Sequence, residues 1–310
     1  MPELRKHSYR LFISQFFKRD YLLMLLSLKI FFSLFCMSMN GYAEEAFLPK
    51  ILYSNQSPFG LIEVVTTRTP EVLNVCENKE YSSAHSTLIK GDITYLGTEY
   101  QPFVTAGFCF FKEIKNALLL GLGAGECLSY LKYYFSEINI DVIEINPVMI
   151  DIVEKFREID KSKVNFIIND AFKYVAVTSQ CYDLIFCDVY FCKPSTIREY
   201  KGFFANVKNC LNENGVFIWN AYIPFIPKEI IEDMFRQFDH VMAASTKIDP
   251  NIIFICYQGD KKTEQELTEV AKKMQFKYNF RYALPDLINE FKYISPLEKQ
   301  EWVSKFPQLY

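Results

Sequence analysis

Between residue 115 and about residue 259, short apolar runs alternate with longer segments whose apolar residues recur at helical spacing. Residues 117–120 are apolar throughout, which is typical of a strand buried on both faces of a parallel sheet. The pattern predicts strands over 117–120, 140–145, 164–168, 182–187, 215–220, 240–247 and 252–257, and helices over 126–135, 149–156, 171–177, 200–211 and 227–238. This alternation predicts the α/β fold class, with a doubly wound, mostly parallel, seven-stranded sheet.

The segments on either side of this region follow other patterns. Residues 61–67 and 72–76 form two β-branched runs, which predict a hairpin or small antiparallel sheet. Residues 100–111 predict a helix, residues 261–277 a surface helix, and the remainder an irregular tail with helical pieces. The chain therefore divides into an N-terminal segment over 1–45, a small β-rich domain over 46–105, a Rossmann-like domain over 106–260 and a C-terminal helical tail over 261–310.

The first 45 residues have the order of parts found in a secretory signal. Five basic residues precede the apolar run 21–39, and the small residues Gly41 and Ala43 follow it. The same order fits a membrane anchor with contact through residues 21–39, and Lys29 within the run leaves an amphipathic helix on a cytoplasmic protein as the alternative. We expect an exported or membrane-anchored protein, with a cytoplasmic one as the second reading.

Charge and cysteine spacing narrow the function. The net charge of −3 gives no basic field that would attract nucleic acid. Nine cysteines contain no C-x-x-C pair and are joined by only three histidines, so no metal site is predicted. Most of the cysteines are interpreted as buried thiols, and disulfides in an exported protein are the alternative.

A glycine-rich turn follows the first strand of the α/β region and opens its first helix. Gly121, Gly123 and Gly125 would let backbone N–H groups approach a ligand closely, and the helix N-terminus adds positive potential. In doubly wound sheets, ligands bind at the carboxyl ends of the strands. The turn therefore predicts a site for a nucleoside-bearing cofactor, most simply one of the S-adenosylmethionine type.

Three carboxylates stand at or just beyond the ends of the next strands. Glu144 lies about 20 residues beyond the glycines, where an acid accepts ribose hydroxyls, although it could instead cap the following helix. Asp170 could accept from an adenine amino group or serve as a helix N-cap. Asp188, at the end of the fourth strand in apolar surroundings, could act as a base or bind an amine, or could be a solvated loop residue.

These residues resemble the motifs of the spermidine synthase, or polyamine aminopropyltransferase, family. The resemblance covers residues 57–259: the turn 121–125 is similar to the first cofactor motif, 142–146 to the ribose segment, 169–171 to the adenine segment, and Asp188 to the first aspartate of the strand-four motif. It implies a sheet like that of class I S-adenosylmethionine-dependent methyltransferases, with S-adenosylmethionine or its decarboxylated form as the cofactor. It also implies that Asp188 and Tyr190 are catalytic, that Tyr100 contacts a small amine, and that a homodimer could form.

The chain also departs from the family pattern. Ala124 replaces an aspartate that engages the cofactor amine, and Phe191 replaces a second aspartate of the strand-four motif. Gln101-Pro102 stand where the family has His-Glu after its tyrosine. Three functions stay open: aminopropyl transfer to an amine, methyl transfer on the same sheet, and a non-catalytic exported relative that lost its polyamine-binding acids.

Overall fold

A small antiparallel sheet comes first in the described part of the chain. In the computed structural model, which describes residues 47–81, 86–111, 113–189 and 202–306, this sheet has the order β1-β2-β3-β4. Its strands are β1 (Ile51–Ser57), β2 (Gly60–Thr66), β3 (Val72–Glu77) and β4 (Ser86–Ile89). Alternate apolar residues such as Val64 and Val75 face inward and pack against Ala124 and Ile152. The small sheet therefore lies directly against the glycine turn and the helix that follows the second strand of the large sheet.

The large sheet of the described residues has eight strands and confirms the α/β fold class. They are β5 (Asn116–Leu120), β6 (Asn139–Glu144), β7 (Val164–Ile168), β8 (Tyr182–Cys187), β9 (Leu211–Tyr222), β10 (His240–Ser245), β11 (Asn251–Tyr257) and β12 (Lys292–Tyr293). Their order is β12-β10-β11-β9-β8-β5-β6-β7. The pairs from β7 to β9 are parallel, and those from β9 to β12 are antiparallel. Because chain order reverses next to β5, a crevice opens beyond the carboxyl ends of β5 and β8.

Helices flank both faces of the large sheet. They are α1 (Gln101–Val104), α2 (Glu126–Tyr134), α3 (Pro147–Phe156), α4 (Ala171–Val177), α5 (Phe203–Asn209), α6 (Lys228–Gln237), α7 (Glu264–Tyr278), α8 (Leu284–Glu290) and α9 (Lys299–Ser304). Local signals explain several helix starts: Asn146 and Asp170 cap α3 and α4 with their side chains, and Thr263 with Glu266 forms a capping box at α7.

Two details of the predicted sheet were wrong. The sheet has an eighth strand, β12, formed by two residues of the tail that was expected to be irregular, with Tyr293 paired to Met242. The strand predicted over 215–220 is longer at both ends, because β9 runs from Leu211 to Tyr222, through the turn-like residues 212–215, and shifts register against β8 near Tyr182. Both errors have one cause, because strand pairing partners far along the chain supply hydrogen bonds that override local turn preference.

The segment predicted as a helix over 100–111 is helical from Gln101 to Phe110, but only its first four residues are α-helical. Pro102 opens the short helix α1, and residues Thr105–Phe110 continue as a 3-10 helix. At Gly107 a Cβ atom would lie 2.2 Å from Cδ1 of Ile218, so this segment packs its backbone directly on β9. Close packing of this segment against the sheet therefore replaces a regular helix.

The C-terminal segment contributes to the core. Phe280, Leu284, Ile288 and Phe291 are buried in the cluster on one face of the large sheet, together with Leu267 and Ala271 of α7. Burying each large side chain contributes about 1.5–3 kcal/mol. The tail is therefore built into the fold, and the division into domains at residues 105 and 260 stays a prediction.

Three further predictions meet partial tests. The seven cysteines in the described residues are all unpaired, and five of them are buried: Cys76, Cys109, Cys187, Cys210 and Cys256. No helix in the described part of the chain is long and apolar enough to span a membrane. The predicted signal or anchor over residues 1–45 lies outside the described residues.

Candidate functional site

The glycine turn is shaped by close backbone contacts. Gly121 has φ +90°, and a Cβ atom there would lie 2.6 Å from the carbonyl oxygen of Asp188. Gly125 has φ +79°, and its Cβ would lie 2.8 Å from Cγ2 of Val153. Gly123, with φ +55°, has only Ser86 and Glu126 within 4 Å of the same position. Gly121 therefore allows the turn to pack against the backbone after β8, and Gly125 allows it to pack against α3. Gly123 leaves the turn open on its remaining side.

Glu144 is tied to the glycine turn by a direct hydrogen bond. Its Oε2 accepts from the backbone N–H of Leu122 at 2.9 Å, and its Oε1 accepts from the N–H of Asn146 at 2.8 Å. The residue is 8% exposed and lines the cavity. Each carboxylate oxygen can accept more than one hydrogen bond. The structure thus brings the turn and Glu144 together, and Glu144 also restrains the loop before α3.

Asp170 occupies the N-cap of α4. Its Oδ1 accepts from the backbone N–H groups of Phe172 at 2.8 Å and Lys173 at 3.3 Å. The residue is half-buried and lines the same cavity as Glu144. The capping role is therefore present, and it uses one of the two carboxylate oxygens.

Asp188 is held by side chains from distant parts of the chain. Its Oδ2 accepts from the hydroxyl of Tyr100 at 2.7 Å, and its Oδ1 accepts from Nδ2 of Asn220 at 2.8 Å. Its backbone N–H donates to Leu120 at 2.9 Å, which places it beside the glycine turn. Asp188 and Tyr100 both line the cavity. Asp188 is thus half-buried and held by two side chains at the wall of the cavity.

One cavity of about 650 Å³ connects these residues. Its described lining includes five carboxylates, Glu77, Glu126, Glu144, Asp170 and Asp188, and contains no lysine, arginine or histidine. Apolar side chains including Phe59, Ile145 and Phe172 form much of the remainder. Carboxylates in a partly apolar enclosure attract cations more strongly than they would in open water. The cavity therefore suits a ligand that combines flat apolar surface with positive charge.

Glu126 is a cavity carboxylate that sequence reasoning missed. It is 3% exposed, and its Oε1 lies 3.5 Å from Nη2 of Arg157, while Nε of Arg157 donates to the carbonyl of Ala124 at 2.7 Å. Burial raises the pKa of the Glu126 carboxyl, although the Arg157 guanidinium opposes this rise. A carboxyl group thus stands two residues beyond Ala124, and an acid directly after a G-x-G-x-G turn was the signal that could have revealed it.

Two buried asparagines were also missed. Asn220 of β9 and Asn251 of β11 are each 5% exposed, and neither lines the cavity.

The predicted catalytic Tyr190 lies outside the described residues. No group of three or more histidine, cysteine or acidic residues in the described ranges is placed to hold a metal ion.

The fold and cavity define a class of protein: a doubly wound α/β protein with a ligand cavity at the glycine turn. Among solved structures, a probable spermidine synthase from Corynebacterium glutamicum is 15% identical, with a TM-score of 0.62 over 84% of this chain and 96% of that one. Human methyltransferase-like protein 13 in complex with SAH is 21% identical, with a TM-score of 0.51 over 59% of this chain and 93% of that one. These similarities concern the fold alone.

The sequence comparison identifies the family. The spermine/spermidine synthase domain matches residues 100–259, just over half of the chain, and the protein belongs to that family. A polyamine aminopropyltransferase from Methanocaldococcus jannaschii is 27% identical over 207 residues, which is 64% of this chain and 66% of the relative. The chain thus spans just under two thirds of the length of this curated relative. The predicted family resemblance is confirmed.

Proposed function

We propose that this protein binds decarboxylated S-adenosylmethionine and transfers its aminopropyl group to a small amine. The observation that carries the proposal is the charge of the cavity, which has five described carboxylates and no described basic side chain in its lining. Decarboxylated S-adenosylmethionine carries a sulfonium and an ammonium group, and an amine acceptor adds further positive charge. A dinucleotide would instead bring a pyrophosphate into this acidic enclosure.

The nucleoside end of the cavity fits an adenosine group. Glu144 would accept hydrogen bonds from the ribose hydroxyls while it keeps the N–H of Leu122, because each of its oxygens can accept twice. Oδ2 of Asp170, the oxygen that does not cap α4, would accept from the adenine amino group. Gly121, Gly123 and Gly125 would leave room for the ligand at the backbone of the turn.

The other end of the cavity would handle the amine. When bound, the cofactor supplies an electrophilic carbon beside its sulfonium, and the transfer forms a carbon–nitrogen bond as the carbon–sulfur bond breaks with its electron pair on sulfur. Asp188 would orient the acceptor amine and take up the proton that the new secondary amine loses. Tyr100 holds Oδ2 of that carboxylate at 2.7 Å, which limits its rotation. Tyr190 stays a predicted participant on the family resemblance.

Glu126 supports the same assignment from the sequence departure at position 124. Family members carry an aspartate there, and this chain carries Ala124. Glu126 would supply the negative charge for the cofactor ammonium from two residues further along. Arg157 contacts Oε1 of Glu126, so Oε2 is the oxygen that would face the ammonium.

Methyl transfer from S-adenosylmethionine is the second candidate. Its support is the substitution of two family acids by Ala124 and Phe191, together with the fold that the chain shares with a methyltransferase solved with SAH. The cavity would then need a partner for the cofactor carboxylate, and its described lining offers no basic side chain for that group.

A turnover assay with mass-spectrometric detection separates the candidates. The full chain is incubated with decarboxylated S-adenosylmethionine and a panel of diamines headed by putrescine, and in parallel with S-adenosylmethionine and the same amines. We expect aminopropylated amine in the first series. Methylated amine in the second series alone would replace the proposal with methyl transfer, and no product in either series would favour the non-catalytic relative.

A further inference from the structure

Three side chains form a buried line of hydrogen bonds behind the cavity. Nδ2 of Asn251 donates to Oδ1 of Asn220 at 2.8 Å, and Nδ2 of Asn220 donates to Oδ1 of Asp188 at 2.8 Å. Both asparagines are 5% exposed and neither lines the cavity. Because they lie on β9 and β11, the line joins the site to the antiparallel half of the sheet. A buried amide keeps its hydrogen bonds because an unsatisfied one costs about 1–3 kcal/mol.

The hairpin between β10 and β11 fixes the outer end of this line. The backbone N–H of Asn251 donates to the carbonyl of Asp249 at 2.8 Å and to Oγ1 of Thr246 at 3.2 Å. The carbonyl of Asn251 accepts from the N–H of Thr246 at 3.1 Å. With its backbone held in this way, Asn251 presents its amide towards Asn220.

The direction of donation has a chemical consequence. Because Oδ1 of Asn220 is occupied by the Asn251 donor, Asn220 must present its Nδ2 to Asp188. An N–H group facing Oδ1 stabilises the ionised carboxylate and leaves no acceptor for a proton on that oxygen. If both amides were reversed, Asn220 would present an oxygen and would favour a protonated Asp188.

We propose that Asn251, acting through Asn220, is a positioning residue that keeps Asp188 ionised and fixes the rotation of its carboxylate. The role of Asp188 in transfer rests on the proposed function. The effect of the asparagines on the protonation of Asp188 does not depend on any reaction. Asp188 then meets the incoming neutral amine as an anion whose two oxygens accept from Asn220 and Tyr100.

The titratable groups around Asp188 come from several elements. Tyr100 donates to its Oδ2 from the start of α1, and Glu126 and Cys127 of α2 interact with it electrostatically. Cys187 precedes it on β8, and burial raises the pKa of that thiol to beyond its ordinary range. Glu144 and Asp170 line the same cavity. These neighbours are neutral or negative, and Asn220, like Tyr100, favours the ionised form because it donates a hydrogen bond to the carboxylate.

Carbon-13 NMR of labelled aspartate carboxyls tests the proposal on the full chain, with the Asp188 signal assigned by its loss in Asp188→Asn. In Asn251→Ala, we expect the apparent pKa of Asp188 to rise by about one unit, because Asn220 is free to turn. The near-isosteric Asn251→Asp should raise it further, since the new carboxylate can only accept from Asn220. A pKa of Asp188 that stays within the error of wild type in both variants would overturn the proposal.

An exposed pair of asparagines at the amino ends of β5 and β6 offers a control. Nδ2 of Asn139 donates to Oδ1 of Asn116 at 3.0 Å across β6 and β5, far along these strands from Asp188. Asn139→Ala should leave the titration of Asp188 unchanged. A shift as large as that in Asn251→Ala would show a general structural effect and overturn the proposal. If wild type performs no aminopropyl transfer while Asn251→Ala still shifts the pKa of Asp188, the proposed function fails but the positioning role of Asn251 is retained.

Activity supplies the second readout. If transfer occurs, Asn251→Ala should lower kcat about tenfold, leave the KM for the cofactor within twofold, and move the acidic limb of the pH profile upwards with the NMR value. A rise in cofactor KM with kcat unchanged would contradict a role through Asp188.

Discussion

The two ends of the cavity are held in different ways. At the proposed nucleoside end, Glu144 accepts from the backbone of Leu122 and Asn146, and Asp170 caps its own helix. At the amine end, Asp188 is held by side chains of Tyr100 and Asn220 that come from other elements. Backbone anchoring keeps the nucleoside end constant in shape, whereas a side-chain network can be retuned by single substitutions. The chain keeps the glycines of the turn and Glu144, whereas Ala124 and Phe191 replace two acids of the family pattern.

The largest expected effect is at the nucleoside end. Glu144→Ala removes the proposed ribose acceptor and also removes the partner of the N–H groups of Leu122 and Asn146. We expect nucleoside binding measured by calorimetry to weaken at least ~100-fold, since two charge-assisted hydrogen bonds are lost. The exposed Glu137→Ala serves as the control and should bind as wild type. Unchanged affinity in Glu144→Ala would remove this residue from the ribose site.

The next largest effect should fall on turnover at the amine end. Asp188→Asn keeps the size of the side chain and removes its charge, so we expect kcat to fall about 100-fold while cofactor affinity changes less than threefold. Steady-state kinetics against the amine gives both quantities. Asp183→Asn, at the amino end of the same strand, should change stability and leave kcat intact. Equal kcat values for wild type and Asp188→Asn would remove Asp188 from the mechanism.

A smaller effect tests the packing of the glycine turn. In Gly121→Ala the new Cβ would meet the Asp188 carbonyl at 2.6 Å at a φ of +90°, and we expect a loss of roughly 3 kcal/mol in the free energy of unfolding. Gly259→Ala shares the positive φ, +86°, and has nothing within 4 Å, so its cost should be about 1 kcal/mol. Chemical denaturation measures both, and equal losses would mean that the close contact is unimportant.

The smallest expected effect concerns the loop that leads to Tyr100. Asp92 pairs with Arg281 of the C-terminal segment at 2.5 Å. Burial pushes the pKa of Asp92 upwards, but hydrogen bonds from Arg281 and Thr94 outweigh this and hold it below its usual value. A depressed pKa means that the pair stabilises the fold above the ordinary aspartate range and loses this contribution as the pH falls through the folded value.

Asp92→Asn should therefore lower the Tm at pH 7, with a loss of at most ~1 kcal/mol because the pair is partly exposed. The difference from wild type should shrink as the pH falls below about 4. Thermal scans across this range give the comparison. A difference that grows towards acid pH would contradict the assigned pairing.

The same contrast explains what the sequence could reveal. Glu144 was predictable because its partners lie within the motif spacing of a glycine turn and the next strand. The line from Asn251 to Asp188 was not, because it joins side chains across β11, β9 and β8, and no local pattern records which strands become neighbours. The apolar runs showed that these strands exist and left their order open.

Two further misses have the same physical origin. In the sequence, Glu126 is an ordinary acid in the first turn of a predicted helix. Its ion pair with Arg157, at the end of α3, forms only in the folded protein. The tail beyond residue 278 looked irregular because its apolar residues follow no regular period, yet Phe280 and Phe291 are buried against elements formed much earlier in the chain. Contacts between residues far apart in the sequence therefore determine both the position of Glu126 and the burial of the C-terminal segment.

The proposed function requires a cavity that selects cationic nucleosides by charge, and a calorimetric series on the full chain tests this directly. Decarboxylated S-adenosylmethionine, S-adenosylmethionine and the neutral thioether methylthioadenosine share the adenosine group and differ in net positive charge. We predict affinity that falls in that order, with at least a ~10-fold step between the first two and a difference that narrows as salt is raised. Tighter binding of S-adenosylmethionine than of its decarboxylated form, or no binding of any of the three, would contradict the account.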